Sequence, residues 1–146
     1  MMNFVVIGGD AAGMSAASRA KRNRPDIEVT VLEQTGDVSY SACGMPYNIA
    51  EPDRKMDDLV VRHAHVFREK QDIDLRTEHC VETIDPVAKT VSGRTLKGNG
   101  FQLNYDKLLI ATGASPIIPH LPGFDQDGVL GLKSLEEDLI RTGSWA

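Results

Sequence analysis

Two short stretches carry residue types that can do chemistry. The first is Gly8-Gly9-Asp10-Ala11-Ala12-Gly13, and the second is Ser39-Tyr40-Ser41-Ala42-Cys43-Gly44-Met45-Pro46-Tyr47. A glycine-rich turn that enters a helix offers free backbone N–H groups and a positive dipole end to a diphosphate. Here the first glycine allows the tight turn and the last allows close helix–strand packing. Glu33 stands 20 residues after Gly13, where a carboxylate can accept hydrogen bonds from a ribose diol. One position departs from the G-x-G-x-x-G pattern: Asp10 replaces the middle glycine and brings a Cβ and a carboxylate near the diphosphate. The alternative is a strand–turn–helix whose small residues serve packing alone. The apolar run before the turn, the helical stretch after it and the placing of Glu33 favour a dinucleotide, but do not distinguish a flavin from a nicotinamide.

The second stretch centres on one thiol. Cys43 can exchange electrons or sulfur as a thiolate, which the N-terminus of a helix starting just after it favours. Pro46 then falls in the first turn of that helix, where proline is tolerated. The alternative, an inert buried thiol, fits poorly with flanking glycine and proline. The next cysteine along the chain is Cys80, so Cys43 has no nearby resolving partner. Cys80 is 37 residues away in the strand-like run Cys80-Val81-Glu82-Thr83-Ile84 and reads as a small buried hydrophobe. Ser15, Arg19 and Arg22 are spaced i, i+4, i+7 and share one helix face. Arginine forks suit phosphates, and a solvated basic face is an equal alternative. His63, His65, His79 and His120 are scattered without supporting cysteine or carboxylate spacing, so no metal site is expected.

These groups need elements to position them. Phe4–Ile7 reads as a buried strand, Ala11–Asn23 as a helix closed by Pro25, and Ile27–Leu32 as a second strand. Together they form a βαβ unit. Residues 35–57 are rich in turn formers. Ala64–Gln71 reads as a helix, and Leu75, Val81 and Ile84 flag a strand region. Thr90-Val91-Ser92 and Phe101-Gln102-Leu103 bracket a hairpin turn at Gly98-Asn99-Gly100. Lys107–Ala111 is a further buried strand closed by Thr112-Gly113, where glycine permits backbone to approach a ligand. Pro116, Pro119, Pro122 and Gly123 mark an irregular segment, and Ser134–Glu137 a helix start with a serine cap. The tail 141–146 matches no element. The expected fold is an α/β layered domain with a mostly parallel sheet and a small antiparallel insert.

Bulk properties narrow the class. The chain has 146 residues, 41% hydrophobic and 25% charged, as an ordinary globular domain does. A net charge of −5 with interspersed signs argues against a nucleic-acid binder. No apolar run reaches the roughly 20 residues of a membrane helix. Met1-Met2-Asn3 leads straight into the first strand, leaving no room for a secretory leader. Two cysteines make no disulfide framework, and a reducing cytoplasm is expected.

Gly8–Gly13, Cys43-Gly44-Met45-Pro46-Tyr47 and Ala111-Thr112-Gly113 resemble the pyridine nucleotide-disulfide oxidoreductases. Within these, the lone Cys43 resembles the single-cysteine branch of coenzyme A disulfide reductases, NADH oxidases and NADH peroxidases. Asp58-Leu59-Val60-Val61-Arg62, Ile84-Asp85 and Lys89-Thr90-Val91 agree in order and spacing, up to about Leu139. The resemblance implies a Rossmann-like FAD-binding domain over residues 1–146. The cofactor set it implies is Gly8, Gly9, Asp10, Ala11, Ala12, Gly13, Glu33, Gln34, Cys43, Val81, Ala111, Thr112 and Gly113, and Ser15, Arg19, Arg22 and Ser39 are expected to face substrate. It implies electrons passing from NAD(P)H to FAD to Cys43, and on to a small molecule: coenzyme A disulfide, a persulfide, oxygen or peroxide. In reductases the sulfur cycles through a mixed disulfide, in oxidases and peroxidases through sulfenic acid. A non-catalytic nucleotide-binding redox module is the remaining alternative. Family members carry a second glycine-rich fold for NAD(P)H and a dimerisation domain. No second fingerprint exists in this sequence, so the resemblance implies the N-terminal portion of a homodimeric enzyme, with FAD bound weakly or absent and no turnover by itself.

Overall fold

The computed structural model describes residues 1–51 and 53–135. The chain divides into two compact units, one of Met1–Tyr40 with Arg62–Gly113 and one of Ser41–Val61 with the chain from Ala114 onward.

The first unit opens with strand β1 (Asn3–Ile7), helix α1 (Ala11–Asn23) and strand β2 (Glu28–Leu32), so the expected βαβ unit is present. Helix α3 (Ala64–Gln71) leads into strand β3 (Asp74–Arg76), and β4 (His79–Asp85), β5 (Thr90–Thr95) and β6 (Gly100–Asn104) precede β7 (Lys107–Ile110); α2 (Met45–Ala50) belongs to the second unit. The four parallel strands lie in the order β3-β2-β1-β7, and the antiparallel ones in the order β4-β5-β6.

Strand side chains alternate between faces, and here both faces are covered. On one face Val6, Val29, Val31 and Leu75 pack with Met14 and Ala17 of α1 and Phe67 of α3. On the other face Val5, Ile7 and Leu32 pack with Val91 of β5 and with Val81, Ile84, Phe101 and Leu103. Each fully buried side chain of this size stabilises the fold by about 1.5–3 kcal/mol relative to exposure. The result is three layers: helices, parallel sheet, small antiparallel sheet. The β4–β5 turn is tied by Asp85, whose Oδ1 accepts from the N–H groups of Val87 (2.9 Å) and Ala88 (2.8 Å).

In the second unit a 3₁₀ turn (Ala42–Gly44) runs into helix α2 (Met45–Ala50), and another 3₁₀ turn spans Met56–Leu59. Pro46 sits in the first turn of α2, as expected. The N–H of Ser41 donates to the Leu59 carbonyl at 2.7 Å. Asn48 is buried, and its side-chain amide donates to the Lys55 carbonyl at 3.2 Å and contacts Met56 Sδ at 3.6 Å. The proline-marked stretch from Ala114 is irregular, and Ile117, Ile118 and Leu121 are exposed on it. The helix expected at Ser134–Glu137 lies outside the described residues from Glu136 on, as does the tail 141–146.

Candidate functional site: a glycine turn at the sheet's carboxyl edge

The first unit brings the ends of three strands together around Gly8. Its N–H donates to the Leu32 carbonyl at 2.8 Å, and the N–H of Ala111 donates to the Ile7 carbonyl at 2.8 Å. Gly8 has φ +106°, and a Cβ there would lie 2.2 Å from the Ala111 carbonyl oxygen. A Cβ on Gly13 would lie 1.8 Å from the Gly8 carbonyl oxygen. Both positions therefore require glycine: the first for its backbone conformation, the second because the helix presses on the turn. Since β2 and β7 flank β1 on opposite sides, this edge is the point where strand order reverses. Open α/β sheets bind ligands outside the carboxyl ends of strands at such points.

The N-terminus of α1 opens here. Asp10 takes the N-cap position with extended backbone, but its side chain makes no capping hydrogen bond, and no acidic residue occupies the first turn. The first helical bond runs from the Met14 N–H to the Asp10 carbonyl at 2.9 Å. Asp10 thus replaces the middle glycine without a side-chain capping hydrogen bond. The N–H groups of the first turn are of the kind that suits a diphosphate. Ala11 and Ala12 are exposed beside them. At Gly113, φ is +70° and the space a Cβ would enter is open. These features fit a dinucleotide.

Glu33, at the end of β2, is held in place by the loop that follows it. Its Oε2 accepts from the Gly9 N–H at 2.7 Å. Its Oε1 accepts from the Thr35 N–H at 2.8 Å and lies 2.9 Å from Thr35 Oγ1. The same loop returns to the turn: the N–H of Ser39 donates to the Gly9 carbonyl at 3.0 Å, and Val38 is buried, its Cγ1 lying 2.8 Å from where a Gly9 Cβ would be. Ser39 has φ +52°, a strained conformation for a non-glycine residue.

Of the other expected cofactor residues in this unit, Gln34 is exposed next to the start of β4, with its Oε1 4.0 Å from Cys80 Sγ. Val81 instead points into the second core cluster. Cys80 corrects the expectation of a buried hydrophobe: it is exposed. Ser15, Arg19 and Arg22 are all exposed on α1. Neither arginine pairs with a carboxylate among the described residues.

Cys43 lies in the 3₁₀ turn of the second unit and is exposed, not buried. The expected helix does follow it, but with only six residues. A helix this short has a small dipole. Asn48 turns inward, its amide committed to the Lys55 carbonyl. Cys43 is therefore a solvent-facing thiol with no local resolving group.

Sequence reading missed Thr35, Val38 and the strain at Ser39. The clasp spans 24 residues between Gly9 and Glu33, and only a hydroxyl residue two places after an acidic strand end hinted at it. A groove of about 540 Å³ lined by Lys21, Thr30, Asp72 and Asp74 lies at the opposite, N-terminal ends of β2 and β3. Its polar groups pair internally, Lys21 with Asp72 at 2.7 Å and Thr30 with Asp74 at 3.4 Å. Among the described residues, no cluster of three or more His, Cys, Asp or Glu side chains is arranged to hold a metal. No helix among them is long and apolar enough to cross a membrane.

A parallel sheet of this order, a glycine turn at its reversal point and a fixed carboxylate ending β2 define the dinucleotide-binding α/β class. Residues 2–141 match the family model described as pyridine nucleotide-disulphide oxidoreductase, and the chain belongs to that family. It is 33% identical over 136 residues to an NADH oxidase of Methanocaldococcus jannaschii, covering 93% of this chain and 30% of that protein. It is 33% identical over 138 residues to a coenzyme A disulfide reductase of Staphylococcus haemolyticus, covering 94% and 31%. The fold matches the structure of an NAD-dependent persulfide reductase from A. fulgidus with a TM-score of 0.90 and 39% identity, over 99% of this chain and 28% of that one. The chain thus spans about 30% of the length of the curated relatives it matches.

Proposed function

We propose that residues 1–146 form the FAD-binding portion of an NAD(P)H-dependent flavoprotein reductase whose oxidant is coenzyme A disulfide or a persulfide. The observation that carries this reading is the glycine turn entering α1, where Gly8 and Gly13 leave no room for a Cβ and Glu33 stands at the same sheet edge. Gly8, Gly9, Asp10, Ala11, Ala12 and Gly13 would hold the diphosphate by backbone N–H groups. Glu33 would hold the adenosine ribose, Gln34 and the backbone of Val81, whose side chain is committed to the core, the adenine end, and Ala111, Thr112 and Gly113 the open side of the turn. When bound, FAD supplies a two-electron carrier between a nicotinamide and a thiol.

Cys43 is the group that meets the oxidant. As thiolate it attacks one sulfur of the disulfide or persulfide, forms a mixed disulfide and expels the other sulfur as a thiol or sulfide. A hydride equivalent from NAD(P)H (two electrons and one proton) and one further proton then restore the Cys43 thiol and release the second thiol. Exposure of Cys43 gives an oxidant access, and no second thiol stands near it in the sequence to intercept the mixed disulfide. Arg19 and Arg22, exposed with Ser15 on one face of α1, are read as contacts for substrate phosphates, and Ser39 as substrate-facing. Two of the three relatives compared act on coenzyme A disulfide or a persulfide by name. The longer protein is read as a cytoplasmic homodimer.

A second reading is favoured by the M. jannaschii relative, an NADH oxidase. In it Cys43 cycles through sulfenic acid and the oxidant is oxygen or peroxide. Product analysis on the full-length protein separates the two. Release of coenzyme A thiol or sulfide in step with NAD(P)H oxidation supports the first reading. Oxygen or peroxide consumption unaffected by coenzyme A disulfide or persulfide supports the second.

A further inference from the structure

Thr35 is not itself assigned to the cofactor, yet it supplies two of the three contacts that orient the Glu33 carboxylate. Its N–H lies 2.8 Å and its hydroxyl 2.9 Å from Glu33 Oε1, while the Gly9 N–H holds Oε2 at 2.7 Å. The hydroxyl also lies 3.1 Å from the Asp37 carbonyl. One hydroxyl proton cannot serve both acceptors fully, and the shorter contact and the carboxylate's charge assign it to Glu33. Thr35 is itself fixed, because its carbonyl accepts from the Glu78 N–H at 3.0 Å. Neighbouring bonds lock the same strand end: the Glu33 N–H donates to the Arg76 carbonyl at 2.9 Å, and the Glu33 carbonyl accepts from the His79 N–H at 2.8 Å.

A carboxylate has about four lone-pair sites. Three donors occupy three of them here and set the direction of what remains. A glutamate with three rotatable bonds would otherwise lose that freedom on gripping a ligand. We propose that Thr35 is a positioning residue for a nucleotide ribose: its hydroxyl pre-orients Glu33 so that the carboxylate recognises a 2′,3′-diol. The inference rests on the reading of Glu33 as the ribose contact and extends it to a residue that never meets the ligand.

The test is a chemical-shift titration of the ¹⁵N-labelled chain with ADP and with 2′-deoxy-ADP, in wild type, Thr35→Val, Thr35→Ala and Thr35→Ser. Wild type should bind ADP about 10- to 100-fold more tightly than 2′-deoxy-ADP, the scale of one lost hydrogen bond to a charged group. Thr35→Val should weaken ADP binding to the level of 2′-deoxy-ADP and so erase the preference. Thr35→Ala should do the same if the valine variant does not fold, and Thr35→Ser should restore the preference. A merely structural role would weaken both ligands alike and leave their ratio intact, which would overturn the inference. Failure of wild type to bind ADP at all would overturn the underlying reading. Binding of both nucleotides without preference would overturn the assignment of Glu33 to the diol, and the role of Thr35 with it.

Discussion

A methyl group on residue 13 has no room. It would meet the Gly8 carbonyl oxygen at 1.8 Å, and that oxygen belongs to backbone that cannot swing aside. At Gly36, by contrast, a Cβ meets nothing within 4 Å. Gly13→Ala is therefore expected to lower stability by about 1–3 kcal/mol, while Gly36→Ala should be neutral or stabilise by about 0.4–1 kcal/mol. Urea denaturation of the two variants beside wild type checks the contrast, and equal midpoints would refute it. The thiols make a second comparison at this scale. Cys43 and Cys80 are both exposed, so the native chain should consume two equivalents of a thiol reagent, and Cys43→Ser one. Had Cys80 been the buried hydrophobe that its apolar neighbours indicate, the native count would be one. Its exposure has a local cause. The β4–β5 register shifts between Val81 and Thr83, so Val81 and Ile84, three residues apart, both reach the core. An extra residue in one strand breaks the two-residue alternation that sequence reading depends on.

Elements whose contacts are local were legible, and those made by distant partners were not. The apolar run at Phe4–Ile7, the small-residue helix after it and the β-branched run before Glu33 specify β1, α1 and β2 without outside help. β3 has only three residues, Asp74, Leu75 and Arg76, and two are charged, so Leu75 flags a strand region without marking the bounds of a separate strand. It exists because β2 supplies a parallel neighbour and Leu75 enters the helix-facing core. α3 is anchored there by Phe67, and Phe67→Ala should cost about 3–5 kcal/mol in a denaturant titration. A cost below about 1 kcal/mol would mean that the helix is not seated as described. The loop between α1 and β2 offers an electrostatic check. The Arg24 guanidinium, hydrogen-bonded to Asp26 at 2.7 and 2.9 Å, is the main cause that holds the Asp26 carboxyl down at about 2. Its folded value lies below its ordinary one of 3.8, so the pair's contribution is present above that ordinary value and is lost as pH falls through about 2. Both side chains are exposed, so the effect on stability is small. A carboxyl-carbon NMR titration should show Asp26 moving back toward its ordinary value in Arg24→Gln.

At the scale of the whole molecule, the chain spans about 30% of its curated relatives, and its sequence holds one dinucleotide fingerprint, not two. NAD(P)H oxidation by the 146-residue chain is therefore expected to be undetectable, and robust turnover would contradict the division of labour proposed for it. The position of the candidate site was legible because the glycine turn and Glu33 follow a fixed spacing along one βαβ unit. The clasp of Thr35, Val38 and Ser39 was not, because it forms only when the chain after β2 folds back over Gly9. The most direct test is a flavin-binding titration, following the fluorescence of FAD as purified chain is added, with ADP as competitor and Gly13→Ala as control. The predicted result is weak, saturable one-to-one binding that ADP reverses and that the alanine weakens while the variant remains folded. Binding that ADP does not reverse, or that the folded Gly13→Ala chain retains in full, would show that the turn does not hold the cofactor.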